Sequence, residues 1–85
     1  MKLYTIFDKE AEEHNERLIT TVNDNVAKRI LKTSMAQDKT LMMNAKAYEL
    51  IYLGLFDKET GTLTPERRKV CELEEIKEEM STENE

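Results

Sequence analysis

With 85 residues, of which 39% are hydrophobic and 36% charged, the chain has material for one small domain with a thin, mainly aliphatic core. Its net charge of −5 hides an uneven distribution: residues 72–85 carry −6, residues 1–71 carry +1, and residues 17–46 hold a local +4. One cysteine excludes an internal disulfide, the lack of a Cys/His cluster excludes a zinc site, and no run approaches the roughly 18 to 20 apolar residues that span a bilayer.

Residues 2–8 are apolar on both alternating sides, which predicts a strand inside a sheet rather than at its rim. The polar stretch 8–16 reads as a loop or single turn, and the β-branched residues 17–22 (RLITTV) as a second strand. Asn23 and Asp24 offer a cap for a helix over residues 24–36. Its apolar stripe is Val26, Ala27, Ile30, Leu31 and Met35, with Lys28, Arg29 and Lys32 on the outer face. Leu41, Met42 and Met43 interrupt a polar connector and suit a further helical turn.

Residues 48–56 (YELIYLGLF) fit a strand better than a helix, because Gly54 sits poorly in a helix interior. The DKETG segment that follows has hairpin composition, with Gly61 at a positive-φ position. Residues 62–64 start a returning strand, which Pro65 interrupts or confines to an edge. From Glu66 the composition predicts a helix with Val70, Leu73, Ile76 and Met80 on one side, then a disordered acidic end at 81–85. FDKE occurs twice, at 7–10 and 56–59, as two strand-to-turn exits of similar chemistry.

The predicted fold class is therefore α+β: a small, mainly antiparallel sheet with one amphipathic helix on a face and a helical acidic C-terminal segment. The domain is placed at 1–65 and the charged tail at 66–85. The helix stripe is expected to pack on Leu3, Ile6, Leu50 and Tyr52. Pairing with a second copy is an expected source of added stability for so thin a core. The opening Met1-Lys2-Leu3-Tyr4 lacks the apolar region and cleavage site of a secretory signal, and with an unpaired cysteine the chain reads as cytoplasmic.

Catalytic chemistry finds little support. His14 is the only histidine and lies in a polar stretch without a positioned partner, so it reads as a solvated surface residue. Cys71 follows Arg67, Arg68 and Lys69, cations that favour a thiolate, yet no Cys–His pairing accompanies it, and it reads as structural. Gly54 and Gly61 are the only glycines, so no phosphate-cradling loop is present. The chain reads as non-enzymatic, without a cofactor. The basic residues carry more: Lys28, Arg29 and Lys32 share one helix face, and Arg17, Lys39 and Lys46 fall near it in sequence. That set suits phosphate contacts, with Tyr4, Tyr48 or Tyr52 as stacking surfaces; a charged helix face is also simply solvated. The acidic tail is either solubilising or a mimic of nucleic acid resting on the basic patch.

Three blocks carry a family resemblance. The chain opens MKLYTIFDKEAEE, of the MKxYxxxDxxAEE type. It continues with NDNVAKR at 23–29, of the ND-x-VAxR type, and then with YEL at 48–50 followed by GLFD at 54–57 and Gly61. In this order and spacing it resembles the small non-structural protein of gokushovirus-type microviruses, single-stranded-DNA phages of bacteria. The resemblance spans about residues 1–65 and departs from the family at 66–85. It implies an accessory role in phage genome replication without catalytic residues, and binding to single-stranded DNA or to the replication machinery, such as the phage replication initiator or a host protein. On that reading Arg17, Lys28, Arg29, Lys32, Lys39 and Lys46 meet the nucleic acid. The alternative is a protein-interaction module that works through a sheet edge or the acidic tail.

Overall fold

Tyr4 and Thr5 are neighbours on one strand, point to opposite faces, and are both 0% exposed. Burial on both sides is what the apolar character of residues 2–8 requires, and the computed structural model, which describes residues 1–83, places this strand in the interior of a five-stranded antiparallel sheet. Strand β1 (Lys2–Asp8) is followed by the short β2 (Glu13–His14) and β3 (Ile19–Thr21), then helices α1 (Asp24–Gln37) and α2 (Lys39–Met43) and a 3₁₀ turn (Ala45–Ala47). Strands β4 (Tyr48–Asp57) and β5 (Thr62–Glu72) form a long hairpin, and α3 (Leu73–Glu83) closes the described chain. The fold is α+β, as predicted.

On one side β1 pairs with β4; on the other it pairs with β2 (Phe7↔His14) and β3 (Tyr4↔Ile19). Strand β5 pairs with β4 and forms the opposite edge. The stretch read as a loop at 8–16 thus includes a two-residue strand, and the strand expected at 17–22 shortens to three residues.

Helix α1 begins where the Asx signal placed it. The Asn23 side chain accepts a hydrogen bond from the Val26 N–H at 2.9 Å, and Asp24 adds a negative charge in the first turn. Its buried stripe is narrower than expected: Ala27, Leu31 and Met35 recur every four residues, whereas Val26 is half-buried and Ile30 is 39% exposed. Asp38 ends α1 and caps α2, accepting from the Leu41 N–H at 3.1 Å. Leu41 and Met42 then pack on the core and Met43 stays outside.

The C-terminal region corrects the sequence reading. Residues 66–72, expected to be helical, continue β5 in register with β4, from Pro65 opposite Gly54 to Glu72 opposite Glu49. Glu, Arg and Lys favour helices, but pairing with β4 outweighs that preference, and Pro65 is tolerated because β5 lies at an edge. A boundary at residue 65 falls inside this strand. The helix starts at Leu73, where the Glu72 N–H donates to the Glu75 carboxylate at 2.8 Å, half of a capping box. Leu73 and Ile76 are buried in the core with Tyr4, Leu31, Leu50 and Tyr52. The helix extends to Glu83, into the segment read as an acidic end, and the rest of that end lies outside the described residues.

All three helices and the 3₁₀ turn gather on one side of the sheet, packed on one another and on β3, β4 and β5. Thr5, Phe7 and Ile51 mark the other side, where no helix packs among the described residues.

Candidate nucleic-acid interface

The six cations singled out from sequence do not form one patch. Arg29 projects from α1 into solvent, while Lys28 and Lys32 are half-buried toward α3. Lys32 Nζ lies 3.4 Å from Glu79 of α3, and Lys28 lines a cleft of about 150 Å³ with Cys71, Glu75 and Glu79. Acidic side chains therefore offset that flank. Lys39 opens α2 and Lys46 lies in the 3₁₀ turn, both exposed. These five belong to the helical layer; Arg17 instead lies in the loop between β2 and β3 at the sheet edge, its N–H bound to the Asn15 side chain at 2.8 Å. Tyr4 and Tyr52 are 0% and 5% exposed, so neither is the stacking surface the sequence suggested.

Those two tyrosines belong to a structural node. The Tyr4 hydroxyl donates to Asp24 Oδ1 at 2.5 Å, and Arg68 grips the same carboxylate through both terminal nitrogens at 3.2 and 3.1 Å. The Arg68 guanidinium also lies 4.5 Å from the Tyr52 ring centroid. Desolvation, reinforced by the bond to Asp24, pushes the Tyr4 phenol well above its ordinary range. Burial opposes ionisation of Asp24, but the hydrogen bonds from Arg68 and Tyr4 and the guanidinium charge outweigh it and hold the carboxyl below its usual range. One carboxylate at the start of α1 thus ties that helix to β1 and β5.

The helix-free face carries a different cluster, missed in the sequence. Pleat alternation puts Phe7 on this side, opposite Ile6, which packs on the core. Its β2 neighbour His14 stacks obliquely on it, ring centroids 4.7 Å apart. From β5, Arg67 crosses β4 to place its guanidinium 5.5 Å from the Phe7 ring, and its Nε donates to His14 Nε2 at 3.2 Å. His14 and Arg67 are exposed and Phe7 is half-buried. Nearby, Lys69 binds Glu49 at 3.1 Å and Glu72 at 2.7 Å, and Lys9 binds Glu72 at 2.8 Å. Hydrogen bonds from Lys69 and Lys9 keep the Glu72 carboxyl below its usual range. Among the described residues Arg67 has no carboxylate partner.

Cys71 is 7% exposed, and burial pushes its thiol up to about 11. Its thiolate is therefore scarce at pH 8. A thiol reagent is expected to label the folded chain about a hundredfold more slowly than the urea-unfolded chain; equal rates would contradict the burial. Among the described residues no group of three or more His, Cys, Asp or Glu side chains is placed to hold a metal, and no helix is long and apolar enough to cross a membrane.

The family described as Phage ORF5 protein matches residues 1–76, a span that takes in all five strands and reaches Ile76 in the first turn of α3. No curated protein and no solved structure matches the chain.

Proposed function

Because the chain belongs to the Phage ORF5 protein family, we propose that it is a non-enzymatic phage accessory protein that binds single-stranded DNA during genome replication. The three sequence blocks favour a gokushovirus-type microvirus, and with it action in the cytoplasm of the infected bacterium. One observation carries the DNA reading: the sheet face without a helix presents Phe7, His14 and Arg67 together at its surface. Aromatic rings beside cations suit splayed single strands, whose bases have free π-faces, and suit a duplex poorly, since its bases are stacked and paired. Arg17 extends this face toward the phosphate backbone at the β2 edge. Arg29, Lys39 and Lys46, in the helical layer, add long-range attraction, and Lys28 and Lys32 add less because α3 offsets them.

Fluorescence anisotropy with labelled single-stranded and duplex oligonucleotides of equal length tests this. The expected result is preference for the single strand, with log affinity falling by about 0.7 per phosphate contact for each tenfold rise in salt. Equal affinity for both forms, or none at low salt, would contradict it.

The exposed edge of β5 favours a second reading. Residues Thr62 through Lys69 are exposed throughout, leaving backbone groups for strand addition by a protein partner such as the phage replication initiator, a host protein or a second copy. On this reading DNA affinity is absent at about 0.15 M salt, and sedimentation shifts when the initiator is added.

A further inference from the structure

We propose that Phe7 and His14 form a nucleobase-stacking site and that Arg67 is its phosphate clamp. The inference rests on the single-stranded-DNA reading and gives it an address.

On this face Lys69 is held by Glu49 and Glu72, and Lys9 by Glu72, all within 3.1 Å. Arg67 is the exception among them: its contacts are a neutral ring face and an imidazole nitrogen acting as acceptor. Neither neutralises it. A guanidinium that touches two rings and is left without an anion matches a phosphate, which accepts two parallel N–H bonds from the guanidinium edge.

The geometry supplies the rest. Strand pairing fixes Phe7 and His14 opposite each other, and the Phe7 ring is half-buried, so the platform is held rather than mobile. Beneath and beside it Thr5 and Ile51 are 0% exposed, and the Thr5 hydroxyl is bonded to the Asn15 carbonyl at 2.8 Å, which gives the rings a rigid floor. The Arg67 side chain lies over the Phe7 ring at 5.5 Å, where an incoming base would sit. A base takes that position when the guanidinium swings outward to the adjoining phosphate. The site reads a π-face and a negative charge, so it accepts any base of a single strand and discriminates against a duplex.

The test compares oligo-dT with an abasic oligonucleotide of the same phosphate count, by anisotropy and by proton NMR. His14 is the sole histidine, so its imidazole gives one identifiable Hε1 signal. Oligo-dT is expected to shift that signal, and the abasic strand is expected to bind about tenfold more weakly and leave it in place. Phe7→Leu, which keeps an apolar cover over the sheet, is expected to weaken oligo-dT binding about tenfold. Arg67→Gln is expected to weaken it and to reduce the salt slope by about 0.7. If wild-type protein binds oligo-dT but both strands bind alike and Arg67→Gln changes nothing, the stacking site is wrong while DNA binding stands. If wild-type protein binds neither strand at low salt, the functional reading fails and the site with it. Arg67 is exposed, so its variant and the abasic comparison decide the matter even if Phe7→Leu disturbs the fold.

Discussion

Gly54→Ala is expected to cost the domain about 3 kcal/mol or more and to lower its thermal midpoint by more than about 12 °C. Gly54 has φ +153°, a conformation that side-chain-bearing residues rarely adopt. A Cβ there would lie 2.3 Å from the Thr64 carbonyl oxygen and 3.0 Å from Pro65 Cα. Both are backbone atoms of the paired strand, so relief requires β4 and β5 to separate at the irregular register between Tyr52 and Gly54. Because β5 delivers both Arg67 and Arg68, DNA affinity is expected to fall along with stability. Gly61 is the control: at φ +75° with nothing within 4 Å of its Cβ position, Gly61→Ala carries only the backbone cost of about 1 kcal/mol. Circular-dichroism melts of the two variants check the contrast; a Gly54→Ala melt that overlays the Gly61→Ala melt would contradict the close strand approach.

Asp24→Ala is expected to remove about 2–3 kcal/mol, because it strands a buried hydroxyl and a guanidinium at once. Tyr4 is 0% exposed and its hydroxyl bonds to this carboxylate, so the truncation takes away the partner that the fold provides for it. Tyr4→Phe removes the donor together with its need and is expected to cost only about 1 kcal/mol. The same node sets acid sensitivity. Asp24 and Glu72 are both held below their ordinary values of 3.8 and 4.5, so the unfolded chain binds more protons than the folded one at low pH. Their stabilisation is complete above those values and is lost as pH falls through and below them. Urea midpoints from pH 7 to pH 3 are expected to fall more steeply for the wild type than for Asp24→Asn; parallel curves would remove Asp24 from the account.

The parts of this fold that can be read in the sequence are those fixed by neighbours along the chain. The alternation of β1, the Asn23 cap of α1 and the Gly61 turn between β4 and β5 each depend on residues a few positions apart, and each stands where local chemistry puts it. The helix predicted from Glu66 begins only at Leu73, because residues 66–72, helix formers by composition, are claimed by pairing with β4, 16 to 23 positions back. The α1 stripe shifts for a related reason: helical spacing allowed both Val26–Ile30 and Ala27–Leu31–Met35, and the position of α3 and the sheet selected the second.

The candidate site was less legible. His14 looks isolated along the chain, and Arg67 looks like one cation in a helical run. Only the order β2-β1-β4-β5 brings them together, across 53 positions of sequence. The usable signal was the opposite-face placement of Phe7 relative to Ile6, combined with Pro65 marking the following residues as an edge strand. The basic residues of α1 were visible at once, but the acids of α3 that offset Lys32 and crowd Lys28 lie more than 40 residues on.

The most direct test of the central claim is an amide chemical-shift map of the protein titrated with unlabelled oligo-dT at low salt. The account predicts that the shifting residues cluster on the helix-free face, at Thr5, Phe7, His14, Ile51 and Arg67, with Arg17 at their margin, while α1 and α3 stay unmoved. A map centred on Arg29, Lys39 and Lys46 would place the DNA on the helical layer and contradict it, as would a spectrum that does not change at all.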